Sequence, residues 1–122
     1  MTKDFADAFA AEWVSAWNAH DVGRVLFHYT EDCTIESPMA EQLCPGSDGT
    51  VHGKAAVRQY WTTGLEKNQA LHFELVAVFV GVHSVALLLH NSTSNKKSVE
   101  LMTFNKDGMV YKAVVCFAHI TT

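Results

Sequence analysis

Long apolar runs are missing from this chain. No stretch of about 18 uninterrupted apolar residues occurs, so no membrane-spanning helix is expected. Basic charge is also scarce. Nine Lys and Arg stand against thirteen Asp and Glu, a formal net charge of −4. The one adjacent basic pair, Lys96-Lys97, lies beside Asn95 and Ser98 and reads as a solvated hairpin tip. Neutralising phosphates needs clustered cations, so neither nucleic acid nor an anionic membrane surface is an expected partner. The opening residues, Met1 to Asp7, carry acids and no apolar export core, so no export signal is expected.

Cysteine is rare and odd in number. Cys33, Cys44 and Cys116 have neither a disulfide framework's pairing nor metal-ligand spacing. Reduced thiols in a cytoplasm are the simplest account. The histidines (His20, His28, His52, His72, His83, His90 and His119) are scattered, with no His-x-x-x-His or His-x-His, so no metal site is expected. No glycine-rich phosphate loop appears, and any chemistry is expected to proceed without a cofactor.

What is present is 122 residues with 48% hydrophobic and 18% charged content, enough for one globular domain over 1–122. Phe5, Phe9, Trp13 and Trp17 recur every four residues and predict an amphipathic helix, with Thr2 as N-cap. Asp21 is placed to cap a second helix carrying Val22, Val25, Leu26 and Tyr29 on one side. Thr34 to Ser37 alternate like a short strand that Pro38 stops, with Ile35 and Ser37 on one face. Residues 39–53, with Pro45, Gly46, Gly49 and Gly53, read as irregular loop. A third helix is expected from Lys54 to about Glu66, burying Val57, Tyr60, Trp61 and Leu65.

Strands follow over Leu71–Val80, Ser84–Asn91, Ser98–Phe104 and Met109–Ile120. Short connections such as Lys106-Asp107-Gly108 require antiparallel pairing. These strands are apolar at both parities: Val85, Leu87 and Leu89 against Ala86 and Leu88, and Val110 and Val114 against Ala113, Val115 and Phe117. A sheet with one wet face should alternate, so both faces are expected to be covered, one by helices and the other by a second subunit.

Three segments together resemble a known family. They are Trp13 to Asp21 (WVSAWNAHD), Tyr29 to Pro38 (YTEDCTIESP) and Gly53 to Trp61 (GKAAVRQYW), followed by Glu100 to Phe104 and the Asp107-Gly108 turn. Their order and spacing are similar to those of the SnoaL-like branch of the nuclear-transport-factor-2-like superfamily, to which ketosteroid isomerase also belongs. The resemblance implies an α+β fold: a cone-shaped curved antiparallel sheet wrapped around three N-terminal helices and enclosing a pocket. It also implies a homodimer packed through the outer sheet face. Fold alone assigns no function, since such folds carry isomerases, dehydratases, epoxide hydrolases, cyclases and binders without activity.

In ketosteroid isomerases an Asp base precedes the Pro that ends the first strand, a Tyr donor sits on the first helix, and a second acid lies before the final hairpin. The matching positions here are Ser37, Trp13 and Glu100. Serine needs a partner base to shuttle a proton, and an indole offers a weaker donor, so steroid isomerisation by that route is not expected. Glu100 shares a strand face with Met102 and Phe104. If that face lines the cone, desolvation should raise the carboxyl's pKa and suit it to acid, base or donor chemistry. A structural role for it, exposed at the rim or paired with a neighbour, is the alternative.

A hairpin centred on residue 94 would set Ser98 opposite His90 and Glu100 opposite Leu88, making His90 a diagonal partner of Glu100. A one-residue shift would separate them onto opposite faces. Trp13, Trp17, Tyr29, Ile35, Ser37, Met39, Trp61, Met102 and Phe117 are the residues expected to line a ligand cavity, although aromatics at helical spacing also serve as plain core. Two functions follow: an enzyme acting on a small apolar substrate with a carbonyl or hydroxyl through Glu100 and His90, or a module that binds a ligand or dimerises without catalysis.

Overall fold

A computed structural model gives the fold and describes residues 1–119. The first helix, α1, spans Lys3–Asn18 and starts as expected: the Thr2 hydroxyl accepts from the Phe5 amide at 3.1 Å. Its apolar stripe buries Ala6, Phe9, Ala10, Trp13, Ala16 and Trp17. Asp21 caps α2, Val22–Leu26, by accepting from the Arg24 amide. That helix is shorter than its periodicity suggested. Tyr29 opens the strand β1, Tyr29–Glu36, instead of closing the helix.

Residues 39–53 are more ordered than their glycines implied. Ser37 ends the strand and caps a short helix, α3, Pro38–Leu43; its side chain accepts from the Met39 amide at 3.2 Å, and Pro38 occupies the first turn. A short strand, β2, follows at Thr50–His52. Gly53 (φ 86°) then turns the chain into α4, Lys54–Lys67, in a left-handed conformation that glycine tolerates without cost from a Cβ.

The remaining strands are β3, Phe73–Val80; β4, Ser84–Asn91; β5, Lys96–Phe104; and β6, Val110–Phe117. Ile120, the expected end of the last strand, lies outside the described residues. The six strands form one curved, unclosed sheet in the order β2-β1-β6-β5-β4-β3. Neighbours from β3 to β6 pair antiparallel, as short turns demand. The β1–β6 pair is parallel, which the intervening chain of helices and strands makes possible as a long crossover.

Register decides which side chains meet the helices. Leu87 stands opposite Glu100, and Glu100 opposite Val115. The inner face therefore carries odd residues of β4 (Val85, Leu87, Leu89) but even residues of β5 (Ser98, Glu100, Met102, Phe104). All of these except Glu100 are buried. The outer face carries Ala77, Phe79, Leu88, Val99, Leu101 and Val114, of which Phe79 is 56% and Leu101 42% exposed.

Candidate functional site

Glu100 is the one acidic side chain of β5, and it shares the inner face with Ser98, Met102 and Phe104. Its cross-strand neighbours are Leu87 and Val115, and Ser98 and Met102 flank it along the strand. The carboxyl keeps a minor part of its surface open, yet protein surrounds it so closely that burial pushes its pKa from the usual 4.5 up to about 8. Among the described residues no cation lies within ion-pair distance of it. At neutral pH the group is therefore protonated, and it acts as a donor as well as an acceptor.

Two phenols face the same region. The Trp13 indole donates to the Tyr29 hydroxyl at 3.0 Å, deep in the core. Because indole can only donate, it occupies a lone pair of Tyr29 and directs the phenol's own proton elsewhere. The partner available to that proton is the Met102 Sδ at 3.5 Å, a weak acceptor. Burial pushes the Tyr29 phenol well above its ordinary pKa, and the nearby Glu100 charge adds to the rise. Tyr60, on α4, is also pushed up by burial. The nearby Ser37 hydroxyl pulls the other way, and Glu100 again adds.

An aromatic wall backs these groups. Trp17 meets Trp61 edge-on at 5.0 Å, Trp61 meets Tyr29 at 5.3 Å, and Trp13 stacks on Phe73 at 5.9 Å. The Trp17 indole N–H is buried without a hydrogen-bond partner.

Of the residues expected to line a cavity, Trp13, Trp17, Tyr29, Ile35, Ser37, Trp61 and Met102 are all buried. The structure sets Tyr29 and Met102 near Glu100, and Trp13 behind Tyr29 through its hydrogen bond. Ser37 is occupied as a helix cap. Met39 is not among the lining residues: it is 41% exposed on α3, because the strand alternation that pointed it inward stops at Glu36. Phe117 shares the inner face with Glu100 but is 45% exposed at the sheet's end, where no helix covers it.

His90 does not join Glu100. The turn between β4 and β5 has four residues, Ser92 to Asn95, so His90 pairs with Lys97 and its side chain faces outward. There its Nδ1 lies 2.9 Å from Glu74 Oε1 and its Nε2 2.8 Å from Asn95 Oδ1. Those two hydrogen bonds, Asn95 first, raise the imidazole pKa. A hairpin centred on residue 94 would have an odd number of loop residues; Asn95, at φ 56°, supplies the left-handed step that closes an even loop. The residue that sequence reasoning left as mere core is Tyr60. Its position next to aromatic Trp61 hid a hydroxyl close enough to Glu100 to feel its charge.

Two surface concavities flank the helices. One, of about 630 Å3, lies between the α1–α2 corner and α4 and is lined by His20, Asp21, Arg58 and Glu66 among others. The other, of about 520 Å3, lies between α3, β2 and α4 and includes Tyr60 in its wall. Glu100 lines neither of them. Among the described residues no three or more His, Cys, Asp or Glu side chains gather as a metal ion would need. Nor is any helix long and apolar enough to cross a membrane.

Comparison with known proteins matches this architecture. A SnoaL-like domain profile covers residues 10–119. A SnoaL-like protein of unknown function from Burkholderia thailandensis superposes with a TM-score of 0.90 at 37% identity, over 98% of this chain and 99% of that one. SalBIII, an epoxide hydrolase/cyclase-like enzyme of pyran ring formation in salinomycin, superposes at 0.72 with 20% identity, over 95% and 92%. AclR of Streptomyces galilaeus, for which hydroxylase activity has been suggested, gives 0.73 with 20% identity, over 96% and 91%. No curated protein sequence matches the chain. At 20% identity the last two structures speak for the fold alone. The domain profile and the 37% identity reach further: the chain belongs to the SnoaL-like family.

Proposed function

We propose that this protein holds a small, mostly apolar molecule bearing a carbonyl or hydroxyl against Glu100, and that the protonated carboxyl is its hydrogen-bond donor and general acid. The observation that carries this reading is a carboxyl set between Leu87 and Val115 with no cation to neutralise it. A carboxylic acid kept neutral by burial can donate to a ligand oxygen as no ordinary glutamate can. Tyr29 supports the same reading, since its proton has only a thioether to bind and would gain from a ligand oxygen. Structures of the same fold include a cyclase-like enzyme and a suggested hydroxylase, which is in keeping with small-molecule chemistry. Catalysis of isomerase, cyclase or dehydratase type would return the proton to the same Glu100.

A second reading, ligand binding or dimerisation without turnover, draws on a specific feature. Ser37 is committed to capping α3, and His90 faces outward, so neither stands as a separate base beside Glu100. The apolar outer face, with Phe79 and Leu101 exposed, supports a homodimer through that face. The three free thiols fit a reducing cytoplasm.

The test compares small cyclic ketones with their parent hydrocarbons by thermal shift, using wild type and Glu100→Gln at pH 6 and pH 9. Ketones should stabilise the wild type more than the hydrocarbons do at pH 6 and lose that advantage at pH 9. An equal response to ketone and hydrocarbon at both pH values would refute the donor role.

A further inference from the structure

Tyr60 belongs to two environments. Its hydroxyl lies near Ser37 and close enough to Glu100 to feel its charge. It is also part of the wall of the 520 Å3 cleft between α3, β2 and α4. The rest of that wall is apolar at Leu43, Cys44, Val51 and Ala56 and polar at Ser47, Thr50, His52, Gln59 and Thr63. A cleft of this volume, with apolar surface and polar groups side by side, suits a small organic molecule that carries both. The larger concavity lacks this character: its charges of both signs and its distance from Tyr60 separate it from Glu100's surroundings.

The Tyr60 hydroxyl has one proton and two lone pairs to offer a ligand oxygen. Only 6% of the residue is exposed, so a ligand oxygen bonded there would be shielded from competing water on the Tyr60 side. We propose that this cleft is a binding compartment for a small molecule with an apolar body and a single hydroxyl or carbonyl oxygen, which Tyr60 contacts through its hydroxyl. The compartment rests on the Glu100 reading in one respect: Tyr60, in the cleft wall, is the residue that lies close enough to Glu100 to feel its charge.

Fluorine NMR of 4-fluorophenol and fluorobenzene tests this with the intact protein. Wild type should bind 4-fluorophenol at millimolar concentration, and Ala56→Phe, which fills the cleft from an exposed position on α4, should weaken binding roughly tenfold. Tyr60→Phe should weaken 4-fluorophenol and leave fluorobenzene unchanged. Should Ala56→Phe fail to fold, Gln59→Trp blocks the same cleft from another exposed position. Undiminished binding in a folded cleft-filling variant, or no binding to wild type, overturns the proposal. Glu100→Gln separates the two readings. Loss of binding there with none in Ala56→Phe leaves the carboxyl site standing and removes the cleft. Loss in Ala56→Phe with none in Glu100→Gln is the result expected of a ligand held in the cleft and not against the carboxyl.

Discussion

Glu100 couples stability to pH in a direction opposite to most carboxylates. Its folded pKa, about 8, lies above the unfolded 4.5, so the native state holds a proton that the unfolded chain releases. Stability from this group is complete below about pH 4.5 and falls as pH rises toward 8, at up to about 1.4 kcal/mol per pH unit. Glu100→Gln keeps the shape and neutral charge, and should flatten that decline; chemical denaturation at pH 5, 6.5 and 8 reads the difference. An unchanged slope would mean another group is responsible. Trp13→Phe should cost about 1–3 kcal/mol, because it removes the only N–H that the buried Tyr29 oxygen accepts and a large part of the core's volume. If Tyr29→Phe in the same background adds little further loss, the pair acts as a unit.

Caps and turns mark where element boundaries were legible. Thr2 and Asp21 announced their helices because an oxygen before an apolar period satisfies the free amides of a first turn. Ser37-Pro38 carries the same signal and was obscured by the glycines that follow, so α3 read as loop. Ser37→Ala should cost about 1 kcal/mol through the lost cap, seen in the midpoint of urea unfolding. The β4–β5 turn was harder. Nothing in Ser92 to Asn95 fixes whether an odd or even number of residues closes the hairpin, and that parity decides which face His90 takes. Asn95→Gly should be tolerated or stabilising, whereas Asn95→Ala should cost about 1 kcal/mol, since only the former suits φ 56°.

Across the whole molecule, the order of motifs along the chain carried the fold, and the two-sided apolar strands carried the expectation of a covered outer face. The parallel β1–β6 contact was not legible, because it joins segments more than seventy residues apart with no local signature. The inner position of Glu100 was legible from its strand alone: parity with Met102 and Phe104 holds whatever the neighbouring register. The outer face makes its own prediction. Phe79→Asp with Leu101→Asp should turn a dimer into a folded monomer, seen as halved mass in light scattering with an unchanged circular dichroism spectrum. A monomeric wild type would remove the dimer from the account.

The account rests on an uncharged carboxyl at residue 100 in the folded protein at neutral pH. Infrared titration of the carboxyl stretch, wild type minus Glu100→Gln, observes it directly. A protonated band that persists at pH 7 and disappears near pH 8 is the predicted result. A group already ionised at pH 5.5 would contradict it and take the proposed donor chemistry with it.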